Sequence, residues 1–208
     1  MDWTNIIISL AMLLAFGIGL PLAMRARKRT APQKVAELLE HLQSMGMKVA
    51  QLPDKTDPKE MGLPRSTGQK SEGIIEIQNK HISYINIISV TSQYGVNFYL
   101  DFLVNRPNWL SGKERKKTKM AVKKDSAIKG KVADITWKGD DYLSRTLNYD
   151  YQLKDRLVQT EPDELKGGIE IYPESKHEYS RIRTTYRLPS RNWLEAVDTI
   201  AGYIKSGW

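Results

Sequence analysis

The chain of 208 residues contains no cysteine, and this absence excludes several kinds of chemistry at once. Without a thiol there is no disulfide, no cysteine nucleophile and no cysteine-ligated zinc. Histidine is scarce as well, and His41, His81 and His177 have no partner at a metal-ligand spacing such as H-E-x-x-H. The sequence therefore indicates no metal site and no cofactor.

Motifs of catalytic chemistry are missing or isolated. Ser111-Gly112-Lys113 lacks the upstream glycine of a P-loop. Ser126 and Lys129 have the spacing of an S-x-x-K motif, but neither S-D-N nor K-T-G accompanies them. Asp140-Asp141 and Asp163-Glu164 are adjacent acids, which more often cap helices or face solvent than act in acid–base catalysis. We therefore expect no enzymatic activity, and an enzyme with an unrecognised site is the alternative.

Acidic side chains are the scarcer of the two charge types. The chain has 24 Asp and Glu against 32 Lys and Arg, which gives a formal net charge of +8. Such an excess favours acidic partners, which are anionic lipid headgroups, nucleic acid or an acidic protein. Apolar residues make up 40% of the chain and charged residues 27%, a balance typical of a globular protein.

One long stretch near the N-terminus has no charge and predicts a membrane anchor. As a helix, Ile6 to Met24 is about 28 Å long, close to the ~30 Å of a hydrocarbon core. Asp2 precedes it, unlike the positive start of a signal peptide, and Arg25 to Arg29 follow it. The positive-inside rule then predicts a single-pass protein of the cell membrane with a cytoplasmic C-terminal domain. The lipid bilayer is its first expected partner.

Small residues recur every fourth position in this stretch. Ala11, Ala15, Gly19 and Ala23 share one face of a helix, which is the geometry that lets two membrane helices approach closely. They predict a helix-partner face. The alternative is that alanine and glycine are simply common in such helices.

The rest of the chain divides into two parts behind an anchor of residues 1–24. Residues 25–72 are expected to form a basic juxtamembrane segment, an amphipathic helix and a linker. The helix is expected to begin at the capping box of Thr30 to Gln33 and to end at Gly46. Prolines and glycines between residues 52 and 72 predict the linker. Residues 73–208 are expected to form a soluble domain.

That domain has the pattern of an α+β fold. Six runs rich in β-branched and aromatic residues predict strands, namely Ile74–Gln78, Ile82–Thr91, Val96–Val104, Ile128–Trp137, Ile169–Tyr172 and Tyr179–Leu188. Asp140 is placed to cap one helix and Ser190 to cap the last. The predicted fold class is an N-terminal transmembrane helix followed by a mainly antiparallel sheet of about six strands packed by two or three helices. A roll or barrel-like sheet and a two-layer sandwich both remain open.

Two groups of cations are the candidate binding residues. The first lies in residues 111–125 and consists of Lys113, Arg115, Lys116, Lys117, Lys119, Lys123 and Lys124. It predicts contact with an anionic surface such as the inner leaflet, or else a solvated loop or hairpin tip. The second consists of Arg181, Arg183 and Arg187, which alternate along one strand. An exposed line of guanidinium groups can bind phosphate, carboxylate or stacked bases, although ordinary polar exteriors have the same pattern.

The sequence as a whole predicts a membrane-anchored, non-enzymatic accessory or scaffold protein. Its basic domain is expected to bind a membrane protein partner or an anionic lipid surface. Two alternatives stay open: a membrane-tethered enzyme, and a nucleic-acid-binding domain held at the membrane. The oligomeric state does not follow from the sequence.

Overall fold

The computed structural model of the chain describes residues 7–8, 20–53, 68–92, 94–105, 115–125, 132–174 and 179–207. The helices are α1 (Leu20–Ser44), α2 (Asp141–Tyr149), α3 (Tyr151–Val158) and α4 (Arg191–Gly207). The strands are β1 (Val49–Gln51), β2 (Gln69–Ile77), β3 (Tyr84–Ser92), β4 (Gly95–Asn105), β5 (Thr118–Lys124), β6 (Val132–Lys138), β7 (Glu170–Tyr172) and β8 (Tyr179–Thr185). Residues 7–8 are helical as well.

The strands form one sheet of eight, in the order β1-β2-β3-β4-β8-β7-β5-β6. Every pairing is antiparallel. The first four strands follow one another as a meander, whereas β8 returns to pair with β4 before the sheet continues through β7 to the β5–β6 hairpin. β7 connects the two parts of the sheet by few backbone pairings, because it has three residues and pairs with β5 only at Thr118 and Lys119.

α1 belongs to the core of the domain. Val35, Leu38 and Leu42 recur at helical spacing, are buried, and pack against β2, β3 and β4. α1 ends at Ser44 and is followed by Gly46, whose φ of 78° is the left-handed conformation that glycine adopts without strain. There the backbone N–H of Gly46 donates to Gln43 and that of Met47 donates to Leu42, at 2.9 and 3.1 Å, as in a Schellman motif.

The other helices begin at side-chain caps. The Asp140 carboxylate accepts from the backbone N–H groups of Tyr142 and Leu143, both at 3.1 Å, at the start of α2. Asp150 accepts from Leu153 at 2.9 Å and so separates α3 from α2. The Ser190 hydroxyl accepts from the backbone N–H of Trp193 at 3.2 Å, which starts α4. These bonds satisfy N–H groups that have no partner inside a helix.

The large buried side chains of the helices join one core on one side of the sheet. That core contains the alternate residues Ile75, Ile85, Phe102 and Ile182 of β2, β3, β4 and β8. The opposite side, called the open face below, has only a small apolar cluster of Ile74 and Leu103 with Leu52, Tyr84 and Tyr179 around it. In the described part of the chain no helix covers the open face, although Asn86 and Asp101 in its middle are buried.

The membrane anchor predicted from the sequence is wrong. Among the residues that the structure describes, no helix combines the length and the apolar character that a membrane crossing requires. α1 is long enough at 25 residues, but it carries Arg25, Arg27, Lys28 and Arg29 in its first half. This finding overturns the transmembrane part of the predicted fold class and the single-pass cell-membrane location with a cytoplasmic domain. Ala11, Ala15 and Gly19 lie outside the described residues, and Ala23 lies in α1.

Four further predictions are corrected. In the described part of the chain the sheet has eight strands rather than about six, and four helices rather than two or three accompany it. Residues 118–124 of the basic run form strand β5 rather than a loop or hairpin tip. α1 continues upstream through Thr30 to Gln33, so these residues are not a helix start. Pro32 therefore lies inside the helix and donates no hydrogen bond there.

The packing of α1 can be tested by truncating one of its side chains. Leu38 is 0% exposed, so Leu38→Ala should lower the free energy of unfolding by about 2–5 kcal/mol through lost burial and the cavity left behind. Gln43→Ala on the exposed side of α1 is the control and should change it by less than about 0.5 kcal/mol. Chemical denaturation monitored by circular dichroism measures both. Equal effects of the two variants would show that α1 does not belong to the core.

Candidate functional site

One row of directly paired residues crosses the open face. Reading across the sheet from β2 to β6, each strand contributes one member, namely Ile74, Asn86, Asp101, Arg183, Glu170, Lys119 and Lys138. Paired residues of adjacent antiparallel strands project from the same side of a sheet. The row therefore concentrates five charged side chains between β4 and β6.

Asp101 is the buried centre of this row. Arg183 donates to both of its carboxylate oxygens at 2.7 Å, from Nε and from one terminal nitrogen. Arg181 approaches the same carboxylate at 3.4 Å and forms a second ion pair with Glu174 at 2.7 Å. The Asp101 side chain is 3% exposed and the two arginine side chains are 12% exposed. Burial of these charges is tolerable only because they are paired and hydrogen-bonded.

The sheet curls toward the open face around Arg183. Besides Asp101, Arg183 donates to the side-chain oxygen of Gln69 in β2 at 3.1 Å. β2 and β8 are three strand positions apart, about 14 Å in a flat sheet. A direct contact between their side chains therefore needs curvature.

Tyr172 of β7 joins the two halves of the sheet through its ring. Lys117 and Arg181 lie 4.2 and 4.3 Å from the ring centre, and Arg183 lies 5.9 Å from it. Arg183 also lies 5.3 Å from the ring of Tyr99 in β4. Cations at such distances are attracted to the faces of aromatic rings. Rings and guanidinium groups thus form one continuous cluster.

Glu170 completes the cluster on the side of β5. It accepts ion pairs from Lys117 at 2.8 Å and Lys119 at 3.0 Å, and a hydrogen bond from the Tyr172 hydroxyl. Partial burial raises the pKa of Glu170, but the hydrogen bonds from Lys117, Tyr172 and Lys119 outweigh it and lower the pKa from 4.5 to about 2. Burial and the bond to Glu170 raise the pKa of Tyr172 from 10.0 to about 12. We call Asp101, Glu170, Tyr172, Glu174, Lys117, Lys119, Arg181 and Arg183 the polar network.

The structure divides the two predicted cation groups. Arg181 and Arg183 are neutralised inside the polar network, and Arg187 lies beyond the end of β8 near Asp163. Arg115 is held at the end of α4, where it donates to the Gly207 carbonyl at 3.2 Å. Lys117 forms an ion pair with Glu170. Lys113 lies outside the described residues.

The remaining lysines of the basic run stay exposed. These are Lys116, Lys119, Lys123 and Lys124, and Lys138 of β6 is exposed beside them. Among the described residues, Lys116, Lys123, Lys124 and Lys138 form no ion pair. Lys119 and Lys123 project from the open face about 14 Å apart, and Lys138 lies opposite Lys119.

An exposed tyrosine ends this group of lysines. The Asp140 carboxylate accepts from the backbone N–H groups of both Lys116 and Tyr142, at 3.3 and 3.1 Å, and so holds them side by side. The Tyr142 side chain is exposed, with Arg115 at 5.9 Å from its ring. We call Lys116, Lys119, Lys123, Lys138 and Tyr142 the basic strip.

The polar network contains residues that the sequence reasoning missed. Asp101 lies in the predicted strand Val96–Val104. The strand was predicted from its alternating apolar residues, and no role was assigned to the acid between them. The available signal was a single acid in an apolar strand, with Leu100 and Phe102 on the buried side and Leu103 on the open side. An unpaired carboxylate is too costly to bury there, so this acid indicates a buried cationic partner. Glu170, Tyr172 and Glu174 gave no comparable signal, since their partners are remote in sequence.

Metal binding finds no support in the described part of the chain. There, no group of three or more histidines, aspartates or glutamates lies close enough to hold an ion. His41 instead contacts the Pro189 carbonyl through Nε2 at 2.9 Å, and His177 lies outside the described residues.

The buried charge at Asp101 makes a stability prediction. Asp101→Asn should lower the free energy of unfolding by about 3–5 kcal/mol, because Arg181 and Arg183 lose a buried counter-charge. The control is Asp163→Asn, which should change the stability far less, because the ion pair of Asp163 with Lys166 is solvent-exposed. Urea denaturation measures both. A loss at Asp101 no greater than the loss at Asp163 would contradict the central role of this carboxylate.

The lowered pKa of Glu170 makes a pH prediction. A carboxylate with a pKa of about 2 in the fold and about 4.5 when unfolded stabilises the protein above pH 4.5. That contribution is lost as the pH falls from about 4.5 toward 2. The difference in unfolding free energy between the parent and Glu170→Gln should therefore shrink across this window. Denaturation curves at pH 6, 4 and 3 test it, and a difference that is constant with pH would rule out the ion pairs of Glu170.

No protein-family model, no curated protein and no solved structure matches this chain at a significant level. The function therefore has to be inferred from the contacts and charges of the chain itself.

Proposed function

We propose that this protein is a non-enzymatic binding module and that its basic strip holds single-stranded nucleic acid. The observation that carries the proposal is the basic strip itself. It is a row of exposed lysines, three of which form no ion pair within the described residues, and it ends at an exposed tyrosine ring beside a guanidinium group. Single strands are bound by this combination, in which cations follow the phosphates and aromatic rings stack on the bases.

The charges of the basic strip differ from those of the polar network. In the polar network four cations, Lys117, Lys119, Arg181 and Arg183, face three acids, so almost all its charge is compensated. In the described part of the chain Lys116 and Lys138 have no acid as an ion-pair partner, and Asp134, which lies opposite Lys123, forms its ion pair with Lys154 at 2.7 Å. A local surplus of exposed positive charge attracts a polyanion and steers its approach.

The pKa values of the polar network support a binding role over a catalytic one. Acid–base catalysis near neutral pH needs a group whose pKa lies near neutrality. Glu170, with a pKa of about 2, is a weak base, and Tyr172, with a pKa of about 12, is a weak acid. The pKa of Glu170 is lowered by its hydrogen bonds from Lys117, Tyr172 and Lys119, and the pKa of Tyr172 is raised by burial and by its bond to Glu170.

Nucleic acid is favoured over an anionic lipid surface for two reasons. The argument for lipid depended on an anchor that kept the domain beside a bilayer, and no described helix is such an anchor. In addition, a lipid headgroup layer uses only the charge of the lysines, whereas a single strand also uses the ring of Tyr142. Base stacking on an aromatic ring contributes about 1–3 kcal/mol.

The lysines can be tested by their effect on the salt dependence of binding. The triple variant Lys116→Gln, Lys123→Gln and Lys138→Gln leaves the polar network intact. Each phosphate contact contributes about 0.7 to the slope of log affinity against log salt for a single strand, so the slope should fall by up to about 2. The matched control neutralises Lys48, Lys80 and Lys166, which are exposed elsewhere, and should keep the parent slope. Fluorescence anisotropy with a labelled oligonucleotide measures the affinity.

Two results would contradict this proposal. The first is an oligonucleotide affinity that is absent at low salt or equally reduced by the control variant. The second is binding of anionic phospholipid vesicles, lost in the triple variant, by a protein that binds no oligonucleotide; the strip would then be a lipid-binding surface.

The ring of Tyr142 has its own test. Tyr142→Ala should weaken oligonucleotide binding about 5- to 150-fold, which is the loss of ~1–3 kcal/mol of stacking, without changing the salt slope. Tyr151→Ala is the control, because Tyr151 is 70% exposed on α3 and lies outside the strip. Titrations at one salt concentration compare the two. Equal affinities of both variants would remove stacking from the proposal.

A further inference from the structure

A second feature lies at the opposite end of the sheet, where a groove of about 310 Å³ opens between the end of α1, the β2–β3 turn and the start of α4. Its apolar lining comes from Met45, Met47, Ile82 and Leu194. Ile82 and Leu194 are buried, and the two methionines are half-buried against the core. Methionine is flexible and polarisable, so these walls adapt to apolar ligands of different shape.

The rim of the groove carries more available positive charge than negative charge. Lys48, Lys80 and Arg191 are exposed cations in its lining. Arg191 is steadied at the mouth, because one terminal nitrogen donates to the Met45 carbonyl at 3.1 Å. Within the described residues this is the one hydrogen bond of its side chain, and a guanidinium with free donors matches a carboxylate well.

Both acids in the lining already have partners. Asp198 accepts from the backbone N–H groups of His81 and Ile82 at 2.7 and 3.2 Å, which fixes the β2–β3 turn on α4. Its second oxygen lies 3.9 Å from Lys80, at the limit of an ion pair. Glu195 pairs with Arg156 of α3 at 3.6 Å. The net potential at the mouth is therefore positive.

From this charge complementarity we infer that the groove binds a small amphipathic carboxylate, with its apolar body on the two methionines and its carboxylate between Lys80 and Arg191. The volume lies at the lower end of the range for small-molecule sites, which suits a medium-chain or single-ring acid rather than a large cofactor. The site is separate from the basic strip. It needs no nucleic acid and does not depend on the proposed function.

The test uses the full chain with octanoate as the probe and 1-octanol as its neutral counterpart. Methionine methyl groups labelled with ¹³C report directly on the groove by NMR. Octanoate should shift the Met45 and Met47 signals in a saturable way and leave the Met120 signal unchanged. Met120 is a buried residue of β5 and does not line the groove. Octanol should bind at least tenfold more weakly.

Two variants separate the roles of charge and fold. Lys80→Gln with Arg191→Gln should raise the dissociation constant for octanoate at least tenfold. The matched control, Lys138→Gln with Arg145→Gln, removes one exposed lysine and one exposed arginine outside the groove and should leave it unchanged. Should the first pair unfold the protein, Lys48→Gln with Lys80→Gln keeps Arg191 and should still weaken octanoate severalfold. Equal binding of octanol and octanoate, or no saturable shift at millimolar octanoate, would overturn the inference.

Discussion

The bidentate pair between Asp101 and Arg183 is the interaction on which the open face depends. Removing a carboxylate and a guanidinium from water costs several kcal/mol per ion, and only close hydrogen-bonded geometry offsets that cost. Here both oxygens of Asp101 are engaged at 2.7 Å. The pair fixes the Arg183 guanidinium beside Tyr99 and near Tyr172, and Arg181 shares the same carboxylate. Side chains of β4, β7 and β8 are thereby ordered together.

This ordering compensates for a weakness in the backbone. β7 pairs with β5 at two positions, so the β5–β6 hairpin is joined to the remaining strands by few main-chain hydrogen bonds. The ion pairs of Glu170 with Lys117 and Lys119 act across the same junction. The cations of the basic run thus fall into two groups. Lys117 and Lys119 connect β5 to β7 through Glu170, whereas Lys123 and Lys124 farther along the hairpin are exposed.

Much of the fold follows from local sequence signals, and the failures have physical causes. Alternation in Val96–Val104, the caps Asp140 and Ser190, and the stop at Gly46 were readable because each depends on neighbours in sequence. β5 was hidden, because Thr118, Met120 and Val122 alternate with lysines whose charge dominates the composition. The anchor prediction assigned Leu20 to Met24 to a separate apolar element, whereas these residues lie in α1, which continues through Arg25 to Arg29 into the core. The pairing of Asp101 with Arg183 joins residues 82 positions apart, which no local pattern reveals.

The two candidate binding sites lie at opposite ends of the strand order, and this separation has a consequence for how charge acts in each. The basic strip lies on β5, β6 and the start of α2, whereas the groove lies between the end of α1, the β2–β3 turn and the start of α4. Exposed charges farther apart than about 8 Å are largely screened at physiological ionic strength, and five strands lie between β2 and β6 in the sheet. Positive potential at one site therefore adds little to the other. The net charge of +8 therefore does not attract anions equally over the whole surface. Local geometry has to select the ligand at each candidate site. At the basic strip this geometry is a row of cations ending at a tyrosine ring, and at the other site it is a groove lined by methionines.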